Sequence, residues 1–589
     1  MRLKKLISKL GVFCLIFYSI AQIFSYSTPV NYDVLIKNTK IIDGTGRAAF
    51  VGDIAIKGEK IVGVGKISGS AATVINGAGL VTCPGFIDPH SHADMDIEKY
   101  PLAENLVMQG ITTFVGGNCA MSPAPLKDLT FGHWLSKVEQ KGISLNYVPL
   151  VGHNPIRELV MGKDFRRKAT AAEIKKMKEI LEEAMKSGSF GYSSFGDPSP
   201  SHFADIEELI ELAKVAAKYN GIYATHTRHL QDQWPTDDPE LVAYDLYLGP
   251  PEDVWVGAYR GYIEAMEIGR RAKIPVQISH LGWAYRIPQP HPDFLEEAIA
   301  KATLWVIDQG IKKGTDVTFD VIATADSISK QFKIIDAFYV ERVGGLSWIQ
   351  QFSKEEFVQR LTTREFRNRL RKVLDAGRLK FYMVHTKADP YWFDCFRILS
   401  CKNKNYEGKT IGEIAGIANT DPLETVFDII VEDPKATWVQ FLDKRDTDLI
   451  NCVFLKHPAA LACTDIGIVP TKIEKPEDWP SPPAYGLYPH YIGHYIRQKG
   501  ILSLEEGIKK ATFAVAQRFG LKNRGILRTG AYADIVVFDF NTIKQKGDFL
   551  NPVQPPDGIE HVFVNGKIVY RDMNHTGKKP GIVLRSTKR

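Results

Sequence analysis

The middle of the chain alternates short apolar runs with amphipathic helical stretches, a pattern that leaves few folds open. The runs Leu80–Ile87, Thr112–Gly116, Asn146–Gly152, Gly188–Ser193, Ile222–His226, Pro275–His280, Asp316–Val321 and Ala460–Thr464 read as strands. Between them, Ala171–Lys186 and Asp205–Tyr219 carry apolar residues at i, i+3 and i+4, the spacing of a single helix face. Eight such strands is the number in a (β/α)8 TIM-like barrel, whose sites gather at the C-terminal strand ends. The connection from Val321 to Ala460 is far longer than a barrel loop needs. It has helical signal of its own at Lys354–Leu374, Thr410–Ala418 and Pro422–Glu432.

Both termini differ in texture from this middle. Asp33–Lys37, Lys40–Ile42, Asp53–Ile56 and Lys60–Val64 read as strands, with Gly44, Gly58 and Gly65 at turns. Ala533–Asp539 and Glu560–Tyr570 repeat the pattern, the latter as a hairpin through Asn565-Gly566. The expected architecture is therefore α/β. Residues 30–84 and 527–589 form a small β-sandwich domain, 85–526 the barrel, and 326–455 an inserted subdomain over its mouth before the last barrel strand.

The strand ends carry the chemistry. The first breaks into Asp88-Pro-His90-Ser-His92, and two histidines one residue apart point the same way from an extended chain. On its own that pair reads equally as two solvated histidines in a turn. But strand two leads into Gly116-Gly-Asn-Cys119, strand five ends in His226, strand six in His280 and strand eight in Thr464-Asp465. Histidine and cysteine donors suit zinc, and a catalytic zinc site keeps one position open. Such an ion acidifies water and polarises a carbonyl, while a carboxylate within reach, Asp465, moves the proton to a leaving amine. The set points to hydrolysis of an amide or related bond.

The bulk numbers exclude other classes. A net charge of +6 over 589 residues, part of it in the first nine, carries no basic stripe with interleaved aromatics, so no nucleic-acid partner is expected. Residues 1–9 are basic, Gly11–Ile20 is apolar, and Ser19-Ile-Ala21 offers a small-x-small cleavage site. The reading is an export signal over 1–21, with an uncleaved membrane anchor as the alternative. The protein is expected outside the cytoplasm, periplasmic or extracellular. Seven cysteines in so long a chain are no disulfide scaffold, though Cys395 could pair with Cys401, and Cys452 lies near Cys463.

Pro84-Gly-Phe-Ile-Asp-Pro-His-Ser-His-Ala-Asp94, Gly116-Gly-Asn-Cys119 with Ser122-Pro, Tyr223-Ala-Thr-His-Thr-Arg228, Ile278-Ser-His280, Thr464-Asp465 and the closing Gln517–Asp539 segment resemble the amidohydrolase superfamily. Within it they resemble the N-acyl-D-amino-acid deacylases (D-aminoacylases). The resemblance implies a small-molecule substrate and one or two zinc ions per chain. Cys119, His226 and His280 would hold the tighter zinc. His90 and His92 would serve a second position, and Asp465 would be the acid–base residue. The family typically has a lysine two residues after the strand-six histidine, a Tyr-Pro-Tyr run after the strand-seven aspartate, and Gly-Leu-Ser-Thr-Gly-Leu-x-Tyr after strand four. Here those places hold Leu281-Gly282, Val321-Ile-Ala-Thr324 and Gly191-Tyr-Ser-Ser-Phe-Gly-Asp-Pro198. The catalytic machinery is expected, and the usual substrate grip is not. Arg228, Trp283 and Tyr285 are the substrate-binding candidates, with Arg286 and Arg497 as further cations. His153 is read as pocket-lining or supporting; His229, His457, His490 and His494 are read as structural or surface residues. Two alternatives stand beside the deacylase: a cyclic-amide or lactone hydrolase, and a metal-binding but inactive homologue that binds acylated ligands.

Overall fold

The computed structural model describes residues 31–196, 200–228, 258–281, 292, 294–324, 332–339, 347–349, 351–375, 380–381, 384–385, 391–440, 447–474 and 479–587. Residues 1–21, where an export signal is expected, and His229, Trp283, Tyr285 and Arg286 lie outside the described residues. Among the described residues no helix is long and apolar enough to cross a membrane.

Eight parallel strands pair in chain order: Phe86–Asp88, Ile111–Gly116, Asn146–Gly152 (interrupted at Leu150), Gly191–Phe195, Ile222–His226, Val276–Ile278, Val317–Ile322 and Ala460–Cys463. The last meets the first through a parallel bridge between Ser91 and Ile466, with hydrogen bonds from Asp465 N to His90 O (2.8 Å) and His92 N to Ile466 O (3.0 Å). The inside of the ring is filled by Ile87, Val115, Val148, Leu150, Ile222, Ala224 and Leu461, with Val515, Ala516 and Phe519 of the helix Phe513–Phe519 joining the same cluster. Around the ring, Ala171–Lys186 starts at a Thr170/Glu173 capping box and Ile206–Lys218 at the Asp205 side chain; each cap is worth about 1 kcal/mol.

The expected first strand, Leu80–Ile87, is two strands in two sheets. Val81–Pro84 pairs with Asn31–Ile41 and Ile535–Phe538, whereas Phe86–Asp88 opens the ring. Proline 84 lacks an amide hydrogen, and Gly85 lies so close to the Thr112 side chain that a Cβ would collide with it. The chain changes sheets at that dipeptide, and an apolar run alone does not reveal such a switch.

The termini join in one continuous nine-stranded sheet. The long strand Asn31–Ile41 causes this by pairing in parallel with both Ser70–Asn76 and Val81–Pro84 while Phe50–Lys57 runs antiparallel to it. Its core is Ile36, Ile41, Ile54, Ile56, Ile535, Val537 and Phe563. The hairpin Ile559–Val564/Lys567–Arg571 turns through Asn565 and Gly566, both at positive φ (46° and 75°), as a two-residue turn of this kind demands. The described part of 334–438 gathers around a separate apolar cluster that includes Phe338, Phe357, Leu370, Phe396, Phe427 and Trp438. No disulfide joins the six described cysteines, so neither pairing that the sequence offered is present.

A Cβ at Gly566 would collide with the carbonyl oxygen of Gly58, while Gly58 itself, at φ 59°, faces open space. Gly566→Ala should therefore lose more than about 1 kcal/mol in chemical denaturation, and Gly58→Ala clearly less.

Candidate metal centre

Five strand ends converge on one cluster. The Cys119 sulfur lies 3.3 Å from His90 Nε2, 3.6 Å from His280 Nε2 and 3.9 Å from His226 Nδ1. His226 Nδ1 and His280 Nε2 are 2.9 Å apart. One carboxylate oxygen of Asp465 is 3.0 Å from His92 Nε2 and 3.2 Å from His90 Nε2. The donors fall into two groups, His90/His92/Cys119/Asp465 and Cys119/His226/His280, with the donor atoms of each within 4.8 Å of one another. Cys119 belongs to both.

Local structure explains the convergence. Cys119, His280 and Asp465 all have positive φ (49°, 35° and 56°), a backbone state that costs a non-glycine residue about 1–3 kcal/mol and clusters at functional sites. Each is held by neighbours. Asn118 Nδ2 donates to Val115 O (2.9 Å), Ala120 N to Ser193 Oγ (2.9 Å), and the Ser193 hydroxyl to Gly117 O. Gly117, itself at φ 84°, and Gly152 leave room where a Cβ would strike the backbone of Leu150 or Ala120. Asp88 accepts from the backbone N–H (3.1 Å) and hydroxyl of Thr464, tying strand one to the residue before Asp465.

The electrostatics suit a cation. Burial pushes the Cys119 thiol up, but the His90, His226 and His280 imidazoles outweigh it and hold the thiol well below its usual range. Burial likewise opposes ionised Asp465, yet His90, His92 and His280 keep its carboxyl well below the ordinary value. Burial disfavours charge on His92, but Asp465 and Cys119 lift it to about 10. Anions at the centre thus hold protons on His90 and His92, and a divalent cation would take the place of those protons. Buried nitrogen and sulfur donors around two shared positions fit zinc. His92 is the most open donor, its side chain 20% exposed against 9% for Asp465, so the site opens on that side.

Other candidates lie elsewhere. Arg228, expected to offer a cation to substrate, is spent inside the wall: its Nε meets the Glu264 carboxylate at 2.9 Å, one Nη donates to Ala204 O at 2.6 Å and the other to His202 O. Its charge is neutralised there, so it serves structure. His153 bridges Ser201 (2.9 Å) and Glu208 (3.0 Å), and Arg157 neutralises the same glutamate. His457 pairs with Asp308 (3.2 Å), His494 with Asp448 (3.0 Å), His490 stacks on His494, and Arg497 donates to Phe540 O.

Two contributors escaped the sequence reading. Asp320, fully buried on strand seven, faces His90 Nδ1 at 3.3 Å; a lone acid inside an apolar strand was its signal. Phe195 packs its ring 4.1 Å from that of His226 and shares a cluster with Cys119. It stands on strand four, in the stretch that departs from the deacylase pattern.

Removal of the shared donor should cost both positions, so Cys119→Ala should lose stoichiometric zinc, measured by atomic absorption after dialysis, while keeping its far-ultraviolet circular dichroism. Away from the site, burial and then His494 hold His490 down to about 4, whereas an unfolded histidine titrates near 6.5. The unfolded chain binds that proton more readily, so stability from neutral His490 is whole above about pH 6.5 and is lost as pH falls towards about 4. Unfolding free energy should fall less steeply across that window in His490→Gln than in the native chain.

Residues 474–570 match the model of the amidohydrolase family. D-aminoacylase of Alcaligenes xylosoxydans xylosoxydans is 28% identical over 587 residues, covering 96% of this chain and 99% of that protein. N-acyl-D-aspartate deacylase of the same organism is 28% identical over 576 residues, covering 94% and 95%. A solved D-aminoacylase, described as having a binuclear metal center, superposes with a TM-score of 0.66 at 27% identity, covering 94% of this chain and 100% of that one. Residues 474–570 thus resemble the amidohydrolase family, and over nearly its whole length the chain is similar to D-aminoacylase and N-acyl-D-aspartate deacylase.

Proposed function

We propose that this protein is a zinc-dependent hydrolase of a linear amide, an N-acyl-D-amino acid or a related N-acylated, peptide-like small molecule. The observation that carries the reading is the placing of Asp465: a part-buried, ionised carboxylate within 3.0–3.2 Å of two donor histidines, beside a thiol that belongs to both donor groups. Cys119, His226 and His280 would hold one ion, with His90 and His92 serving a second position that shares Cys119. Zinc held there supplies Lewis acidity, polarising a carbonyl and acidifying water. Asp465 accepts a proton as water adds to the amide carbon, then returns it to the nitrogen as the C–N bond breaks, giving a carboxylate and a free amine.

Substrate grip is where this chain departs from its relatives. Leu281, buried, follows the strand-six histidine, and Phe195 brings an apolar ring beside His226. A pocket built this way recognises apolar surface in its substrate and gains little from hydrogen bonds to a carboxylate. Residues 326–455 leave from the C-terminal end of strand seven, on the rim that carries the site, and are read as its cover. Residues 1–21 are read as an export signal. The alternative of a metal-binding protein without activity leaves Asp465 without a purpose, since a silent site has no need of an ionised proton carrier.

The test is hydrolysis of a panel of N-acyl-D- and N-acyl-L-amino acids, acylated dipeptides and lactones by zinc-loaded protein. Asp465→Asn should keep its zinc yet lose about 10²–10⁴-fold in kcat. Full turnover in that variant would overturn the mechanism, and hydrolysis of lactones alone would overturn the amide reading.

A further inference from the structure

Asp320 touches both donor groups. One of its carboxylate oxygens accepts from the backbone N–H of His280 at 2.6 Å and lies 3.3 Å from His90 Nδ1. Its other oxygen accepts from Gln277 Nε2 at 2.7 Å, and the Thr318 hydroxyl donates to Oε1 of the same glutamine. Gln277 and Asp320 are both fully buried, and each is fixed by strands six and seven. His90 belongs to one donor group and His280 to the other.

We infer that Asp320 is a positioning residue that couples the two metal positions, setting the ring of His90 and the backbone of His280 with one carboxylate. This rests on the reading of the cluster as a metal centre. A carboxylate oxygen placed 3.3 Å from Nδ1 favours a proton on that nitrogen, which leaves Nε2 as the ligand atom. That Nε2 is the one facing Cys119 and Asp465. At His280 the same carboxylate satisfies the amide of a residue in left-handed conformation (φ 35°), so the ring projects from a backbone that has few other stable states. Carboxylates behind metal-ligating histidines are worth 10–100-fold in metal affinity. Most serve one histidine, whereas Asp320 serves one in each group.

The experiment is a zinc titration of metal-depleted protein against a chromophoric chelator, with the visible spectrum of the cobalt(II)-substituted protein as a second readout. Asp320→Asn, which keeps the size and loses the charge, should weaken each zinc-binding step by about 10–100-fold and change the cobalt spectrum. Gln277→Leu leaves the carboxylate but frees one of its oxygens. It should weaken the steps together by a smaller factor, and it carries the test if Asp320→Asn does not fold. Weakening of a single step, or unchanged affinity and an unchanged cobalt spectrum in a folded variant, overturns the coupling alone. Failure of the native chain to bind zinc overturns the metal centre and the coupling with it.

Discussion

A single sulfur atom joins the two halves of the site. Cys119 lies within 3.3–3.9 Å of three imidazole nitrogens, and among the described residues no other belongs to both donor groups. A buried thiol is a weak donor, and burial alone makes it weaker still. It becomes an anion only because imidazoles from strands one, five and six surround it, and they converge only because the strands form a ring. Fold and site are therefore mutually dependent. The ring brings the imidazoles together, they ionise the sulfur, and the sulfur in turn balances the charge that would otherwise force buried imidazoles apart.

Backbone strain marks the same place. Three of the six converging residues adopt left-handed backbone, and each departure is matched by a specific support: the Ser193 hydroxyl bonding on both sides of Cys119, the Asp320 carboxylate at His280, and the Asp88–Thr464 contact before Asp465. Strain of this kind persists where the surroundings over-determine it. The supports come from strands other than those they brace, so the site is held by the closed ring as a whole.

Much of this was legible in the sequence, for reasons of period and residue type. Strand ends can be located from apolar runs, and side chains that end neighbouring parallel strands share one rim, so His90, His92, Cys119, His226, His280 and Asp465 could be gathered without coordinates. The Asn565-Gly566 turn was equally plain, because only such residues take two positive φ values in succession. Long-range partnership was not legible. Arg228 looked like a free cation because it follows His226, yet Glu264, thirty-six residues on, neutralises it. Asp320 looked like a landmark, since its partners His90 and His280 lie on other strands. The run Leu80–Ile87 looked like one strand, because apolarity does not say which sheet receives it.

The loss of Arg228 as a substrate contact bears on what the pocket can bind. An N-acyl amino acid carries a carboxylate, and a pocket that holds it must offset the cost of removing that charge from water. Among the described candidates, Arg228 is committed to Glu264 and Arg497 to the Phe540 carbonyl. Phe195 of strand four, whose ring lies 4.1 Å from that of His226, is apolar. Recognition by burial of apolar surface is non-directional and yields roughly 25 cal/mol per Å², so it discriminates by shape and size more than by charge. Under the proposed amide hydrolysis, specificity in this chain would follow from the space that Phe195 leaves beside His226.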